Sequence, residues 1–367
     1  MTNTNLSRRI TLTELGRRLN LSPRAVSQVL NGSGTTSNVR VNPKTRERVL
    51  QLAKETGYRP NRGAQMFRTG KHPGLVGIFS GQGFDPIVAN RTYFSHASAE
   101  KYGLSMLQYL TSGGDEDELR AMDFFLDSGV EAVVSFIPME KRHLATLLQQ
   151  GVLVLSVGAS QPIPVPTYLA DKVEGFALLT RHLIEQGHSK ITFIQNGPET
   201  PEAHGAYAEA GFLRAVAEAR QEGKSVTARI HRKTVPIEGY ISPDYPHLHG
   251  ILAPGYAAMK EIIATNQVPE AVICLTDSLA HGAISACAEA GISVPEDIAI
   301  AAFGDEPWSS GGILTMTSVH QPLGELVEMA FADLKQTLRD KTPLVQLQVQ
   351  LPCRLIVRQS TKHPRKS

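Results

Sequence analysis

The sequence predicts a molecule in two parts, an all-α helix-turn-helix headpiece followed by an α/β domain of two doubly wound parallel-sheet lobes. Three observations predict it. Net charge is only +2 over 367 residues, yet residues 1–73 hold 14 Lys and Arg against 3 Asp and Glu, and the remainder holds 23 against 32. Within the basic segment, three short amphipathic helical patterns follow one another, each bounded by capping residues. From residue 74 onward, short aliphatic runs alternate with helix-length stretches in two series, as two parallel sheets with flanking helices require.

In the headpiece, Leu12, Leu15 and Leu19 recur at i, i+3 and i+7, with Thr11 as N-cap. Asn20 tolerates the left-handed conformation that a tight helix-to-helix turn needs. Ser22-Pro23 opens a second helix with Val26, Val29 and Leu30 inward, and Asn31-Gly32 ends it. Asn42-Pro43 opens a third, with Val49, Leu52 and Ala53 inward and Gly57 after it. Three short helices with a tight first turn make a helix-turn-helix, whose second helix enters the major groove by its N-terminal residues. Arg pairs bidentately with guanine and Gln with adenine, so Arg24 and Gln28 are the candidate base readers, with Pro23 beside them. Ser27 and Thr11 suit phosphate contacts, which position without specifying sequence. A basic unit on an acidic remainder fits a polyanion-binding module joined to something else.

In the large part, GLVGIF (74–79), LSMLQYL (104–110), EAVVSFI (131–137) and VLVLSV (152–157) read as strands of a first lobe. KITFIQ (190–195), EAVICL (270–275) and DIAIAAF (297–303) read as strands of a second. Ligands of such sheets bind at the carboxyl ends of the strands, here in the cleft between lobes. No apolar run is long enough for a signal peptide or a membrane span, so the expected location is the cytoplasm, at the nucleoid, with no membrane partner. Cys274, Cys287 and Cys353 lack finger or CxxC spacing and read as reduced core thiols. His182 and His188 read as structural or surface residues; His247 and His249 could share one face of an extended segment, but no neighbouring ligand completes a metal set. No GxSxG, Walker, HExxH or kinase-like set occurs, so neither catalytic residues, metal nor cofactor are expected.

The segments ITLTELGRRLNLSPRAVSQVLNG and VNPKTRERVLQLAKETGYRPNRGAQMFRTGK resemble the headpiece of the LacI/GalR repressor family, notably at SxxxVSxVLNG, PxTRERV and GYRPN. Residues 34–39 look like an insertion, beside which Arg40 could add a phosphate contact. In the family, the segment matching 61–68 orders on operator DNA and wedges an apolar side chain into the minor groove; Phe67 matches the wedge. The expected DNA-binding set is therefore Thr11, Ser22, Pro23, Arg24, Ser27, Gln28, Asn31, Arg40, Asn61, Arg62, Gln65 and Phe67.

HLIEQGHSKITFI (182–194), EAGFLRAVAEA (209–219), TDSLAHGAISACAEAGISVPEDIAIAAFGDEP (276–307) and TSVHQPLGELVEMA (317–330) resemble the family's periplasmic binding protein-like domain. The resemblance implies a headpiece at 1–60, a hinge at 61–73, and an effector-binding and dimerisation domain at 74–367. It implies an N-lobe of about 74–170 and 304–321 and a C-lobe of about 171–303 and 322–360, with crossovers near Asp171, Phe303 and Gln321. The tail TKHPRKS lacks heptads that join dimers into larger assemblies.

The sugar anchors of many relatives are missing. An Arg, an Asn and two Asp positions of the family fall at Ala206, Thr276, Gly304 and Gly158. An unpartnered buried hydroxyl costs roughly 1–3 kcal/mol, so simple monosaccharides are not expected as effectors. Either the cleft takes a bulkier or less polar molecule, such as a nucleoside or glycoside, through Asp85, Glu202, Tyr207, Thr276, Asp277, Asp305 and Trp308, or it has lost its ligand. Residues 232–250 align poorly with the family and read as an irregular surface loop. The expected function is a homodimeric repressor-type regulator on a palindromic operator. The alternatives are a solute-binding protein, which the basic headpiece opposes, and a sugar- or nucleoside-processing α/β enzyme.

Overall fold

The computed structural model describes residues 10–30, 42–56, 58, 74–81, 86–158, 164–196, 205–233, 252–341 and 348–361. The chain divides into two compact units, Met1–His72 and Pro73–Ser367.

In the first unit, α1 (Leu12–Leu19), α2 (Pro23–Leu30) and α3 (Pro43–Glu55) form the expected helices. Each begins at a side chain that takes an otherwise unpaired amide. Glu14 N–H donates to Thr11 Oγ1 (3.2 Å), Ala25 N–H to Ser22 Oγ (3.2 Å) and Lys44 N–H to Asn42 Oδ1 (3.0 Å). Asn20 caps α1 in the left-handed region, φ 55°. Gly16 lets the turn fold close, because a Cβ there would lie 2.7 Å from the Leu21 carbonyl oxygen. Leu15, Val26, Val29 and Val49 form the small core, with Leu52 and Tyr58 partly buried against it.

The second unit carries two six-stranded sheets. Along one, the order is β11 (Gln348–Leu351), β5 (Thr167–Ala170), β4 (Leu153–Val157), β3 (Ala132–Ser135), β1 (Leu75–Gly81) and β2 (Ser105–Thr111). Along the other it is β12 (Arg354–Ile356), β10 (Thr317–His320), β9 (Ala299–Gly304), β8 (Ala271–Cys274), β6 (Lys190–Gln195) and β7 (Thr227–Arg232). Pairing is parallel except between β10 and β12. The helices α4 (Pro86–Lys101), α5 (Asp115–Asp127), α6 (Lys141–Gln149) and α11 (Leu323–Asp340) serve the first lobe, and α7 (Lys172–Glu185), α8 (Ala206–Gln221), α9 (Ala253–Ala264) and α10 (Asp277–Glu289) the second.

The lobe boundaries differ from expectation. Residues 304–321 stay with the C-lobe, because Thr317–His320 pairs in parallel with Ala299–Gly304. Residues 322–351 belong to the N-lobe, where α11 packs on α4, β4 and β5, and β11 pairs with β5. The chain thus crosses at Asp171, at Gln321 and at 352–353, not near Phe303. All three cysteines are buried free thiols, Cys353 at the last crossover.

Close packing of α8 on α7 depends on Gly211, where a Cβ would lie 2.2 Å from the Val173 carbonyl oxygen. That approach brings the first turns of the two helices together at the carboxyl edge of the C-lobe sheet.

Candidate functional site

On the reading helix α2, Val26 and Val29 are committed to the core. Ser22, Pro23 and Arg24 are exposed, and Ser27 and Gln28 are half-buried. Arg24 and Gln28 stand four residues apart and so share one helix face. Thr11 and Ser22 stand at the N-termini of α1 and α2, where free amides and the helix dipole favour a phosphate. Not all the headpiece charge is available. Glu14 is hydrogen-bonded by Arg17 and Arg18, which hold its carboxyl down to about 2, so it offsets part of their charge. Arg24, Lys44, Arg46, Arg48 and Lys54 make no ion pair among the described residues. Asn31, Arg40, Asn61, Arg62, Gln65 and Phe67 lie outside the described residues.

In the second unit, a cavity of about 340 Å³ opens beside the Gln321 crossover. Ile87, Asn90 and Phe94 line it from the N-lobe and Asp305, His320 and Arg358 from the C-lobe side. Asp305, with φ 53°, accepts from Arg358 (2.7 Å) and pairs with His320 Nδ1 (3.0 Å). Burial pushes its carboxyl up, but these two partners hold it below the ordinary range. Arg358 follows β12, whose antiparallel pairing with β10 brings it to Asp305.

Asp277 is wholly buried and engaged within the protein. Ser318 Oγ–H donates to its Oδ1 (2.6 Å) and Glu306 N–H to its Oδ2 (2.8 Å). Burial raises its carboxyl to about 6 despite these bonds. The same carboxylate closes the space at Gly304, φ 147°, where a Cβ would lie 2.8 Å from Asp277 Oδ2. Thr276 caps α10, accepting from Leu279 N–H (3.2 Å). Trp308, on a 3₁₀ turn, is 40% exposed, and of the expected effector residues that the structure describes only Asp305 lines this cavity, not Tyr207, Thr276, Asp277 or Trp308. Asp85 and Glu202 lie outside the described residues.

Tyr207 keeps a partner that the sequence did not suggest. Lys172 Nζ lies 4.8 Å from the centre of the Tyr207 ring and donates to the Gly158 carbonyl oxygen (3.1 Å). Lys172 is the first residue of α7, just past the first crossover, and that position is its only sequence signal. Nearby, Glu209 accepts from Arg232 (3.1 Å) and from Gln195. The structural reading of His182 holds, since its Nε2 pairs with Thr361 Oγ1 (2.9 Å). Among the described residues no group of metal-ligating side chains occurs and no helix is long and apolar enough to cross a membrane. His247 and His249 lie outside them.

The family described as periplasmic binding proteins and sugar binding domain of LacI family matches residues 76–238, and the periplasmic binding protein-like domain matches 180–361. The chain is 27% identical over 360 residues to catabolite control protein A of Priestia megaterium, covering 96% of this chain and 99% of that protein. It is 30% identical over 306 residues to the HTH-type transcriptional regulator AglR of Rhizobium meliloti, covering 81% and 78%. The chain belongs to the LacI/GalR family of transcriptional regulators. Its fold is that of the Lac repressor dimer solved with operator and the anti-inducer ONPF, with a TM-score of 0.78 at 22% identity over 96% of this chain and 99% of that one.

Proposed function

We propose that this regulator is of repressor type, binds a palindromic operator as a homodimer, and responds to a small-molecule effector between its lobes. One observation carries the reading. A helix-turn-helix that presents Arg24 and Gln28 on one face is joined, in one chain, to a two-lobed domain with a cavity beside a crossover. Arg24 and Gln28 would read bases, Thr11, Ser22 and Ser27 would hold phosphates, and Asn31, Arg40, Asn61, Arg62, Gln65 and Phe67 would extend the contact. Residues 1–60 would serve as headpiece, 61–73 as hinge and 74–367 as sensing and dimerisation domain. The Lac repressor dimer solved on its operator supports the DNA partner and the dimer, and relatives named as regulators support a cytoplasmic, nucleoid-bound role rather than an enzymatic one.

The effector is other than a simple monosaccharide, and its apolar face meets Tyr207 and Trp308. It must bind two lobe arrangements with different affinity, or it shifts nothing. Selection of full-length protein on a random duplex pool, followed by footprinting and native mass of the complex, tests the reading. Two symmetric half-sites and two protomers are expected. An enriched site without symmetry, or one occupied by a single protomer, refutes it.

A further inference from the structure

We propose that the effector is an anion, with a carboxylate or phosphate group recognised by Lys172. This deepens the effector-cleft reading above and rests on it; Lys172 stands at the Asp171 crossover, outside the lining of the cavity beside Gln321. Lys172 is half-buried, and its ammonium carries three donors. One goes to the Gly158 carbonyl oxygen at 3.1 Å, and the Tyr207 hydroxyl is at the edge of reach at 3.5 Å. Among the described residues no carboxylate pairs with this ammonium. A partly desolvated cation held, among the described residues, by a carbonyl dipole, a hydroxyl and an aromatic face is an attractive seat for an anion, because charges interact more strongly away from water.

Among the described residues, the acids near the carboxyl edge of the C-lobe sheet are hydrogen-bonded within the protein. Asp171 accepts from Glu174 N–H (2.9 Å), Asp277 from Ser318 and Glu306, Asp305 from Arg358, and Glu209 from Arg232. A second cation reaches the same edge from the N-lobe. The Arg91 guanidinium lies 5.5 Å from the centre of the Phe136 ring. Phe136 follows β3, which pairs with β4 at Ser135 and Ser156, so Phe136 and Gly158 stand at the same carboxyl edge of adjacent strands. The family positions that would place acids here are Gly158 and Gly304, so the repulsion they would exert is absent as well.

Lys172 also gives such a ligand leverage on the lobes. It stands on a C-lobe helix, and Gly158 ends an N-lobe strand, so their hydrogen bond ties lobe to lobe. An anion that draws the ammonium away from Gly158 binds the two lobe arrangements differently, as an effector must.

The test uses full-length protein and matched probes: glucose 6-phosphate beside glucose, 4-nitrophenyl phosphate beside 4-nitrophenyl β-glucoside, and benzoate beside benzamide. Melting shifts and calorimetric Kd are read for wild type, Lys172→Met and Lys172→Arg, and the melt of each variant without probe shows that it folds. At least one anion should raise the melting temperature where its neutral partner does not, and the phosphate and carboxylate arms show which group is read. Lys172→Met should weaken that anion about tenfold or more, and Lys172→Arg should keep most of the affinity. Binding of neutral probes alone, or anion binding that survives Lys172→Met, overturns the anion and leaves the effector cleft standing. No shift with any probe, charged or neutral, overturns both.

Discussion

Asp277 gives the second unit a pH dependence that can be worked from its surroundings. Its carboxyl is raised from 3.8 to about 6 by burial, with Ser318 and Glu306 N–H only partly opposing the shift. In the unfolded chain it titrates near its ordinary value, so between the two pKa values the folded state holds a proton that the unfolded state has lost. Stability from this group is therefore complete below the unfolded value and is lost as pH rises through the folded one. At about 1.4 kcal/mol per pH unit, the change between pH 4.5 and pH 7.5 is about 2 kcal/mol. Asp277→Asn removes the titration but turns an amide donor toward Ser318 Oγ–H or Glu306 N–H, a loss that does not depend on pH. The variant should thus be most disadvantaged at pH 4.5, and its disadvantage should shrink by about 2 kcal/mol by pH 7.5. Urea unfolding of both proteins across that range reads the difference directly. A difference that stays constant with pH would refute the reasoning and return Asp277 to an ordinary titration.

Gly211→Ala should destabilise the protein by about 1–3 kcal/mol in urea unfolding, because the new Cβ would meet the Val173 carbonyl oxygen at 2.2 Å. Operator affinity should fall steeply and linearly with the logarithm of salt concentration, while the fragment 74–367 shows no DNA binding at physiological salt by gel shift. Glucose, galactose, ribose and lactose at millimolar concentration should leave the melting temperature unmoved, whereas a true effector at about 100 times its Kd adds about 2.7 kcal/mol. A shift of several degrees with any of the four would mean that the cleft has rebuilt the missing anchors.

The headpiece was legible because each of its helices is bounded by residues with a local mechanism. Thr11, Asn20, Ser22 and Asn42 act within three residues of their own position, and such signals survive without knowledge of the tertiary fold. The aliphatic strands were legible for the same reason. Strand 317–320 was not, since Thr317 and Ser318 are polar yet fully buried, satisfied by Arg358, Thr361 and Asp277 from far along the chain. Strands 227–232 and 348–351 are edge strands, half exposed, with no aliphatic run to mark them. The misplaced lobe boundary follows directly, because the unseen β10 and β11 are the strands that decide which sheet each segment joins. The contact of Lys172 with Gly158 and Tyr207 was not legible, because it forms through a crossover and a glycine-mediated helix contact.

The central claim, sequence-specific reading of a symmetric operator by α2, is tested most directly by Arg24→Ala. Its binding should be measured on the selected operator, on every single-base variant of one half-site, and on random duplex. A bidentate contact to guanine is worth about 1–3 kcal/mol of discrimination. The account predicts that the variant loses this discrimination at one base pair, symmetrically in both half-sites, while affinity for random duplex stays nearly the same. Equal losses on operator and random DNA, with discrimination intact at every position, would contradict it.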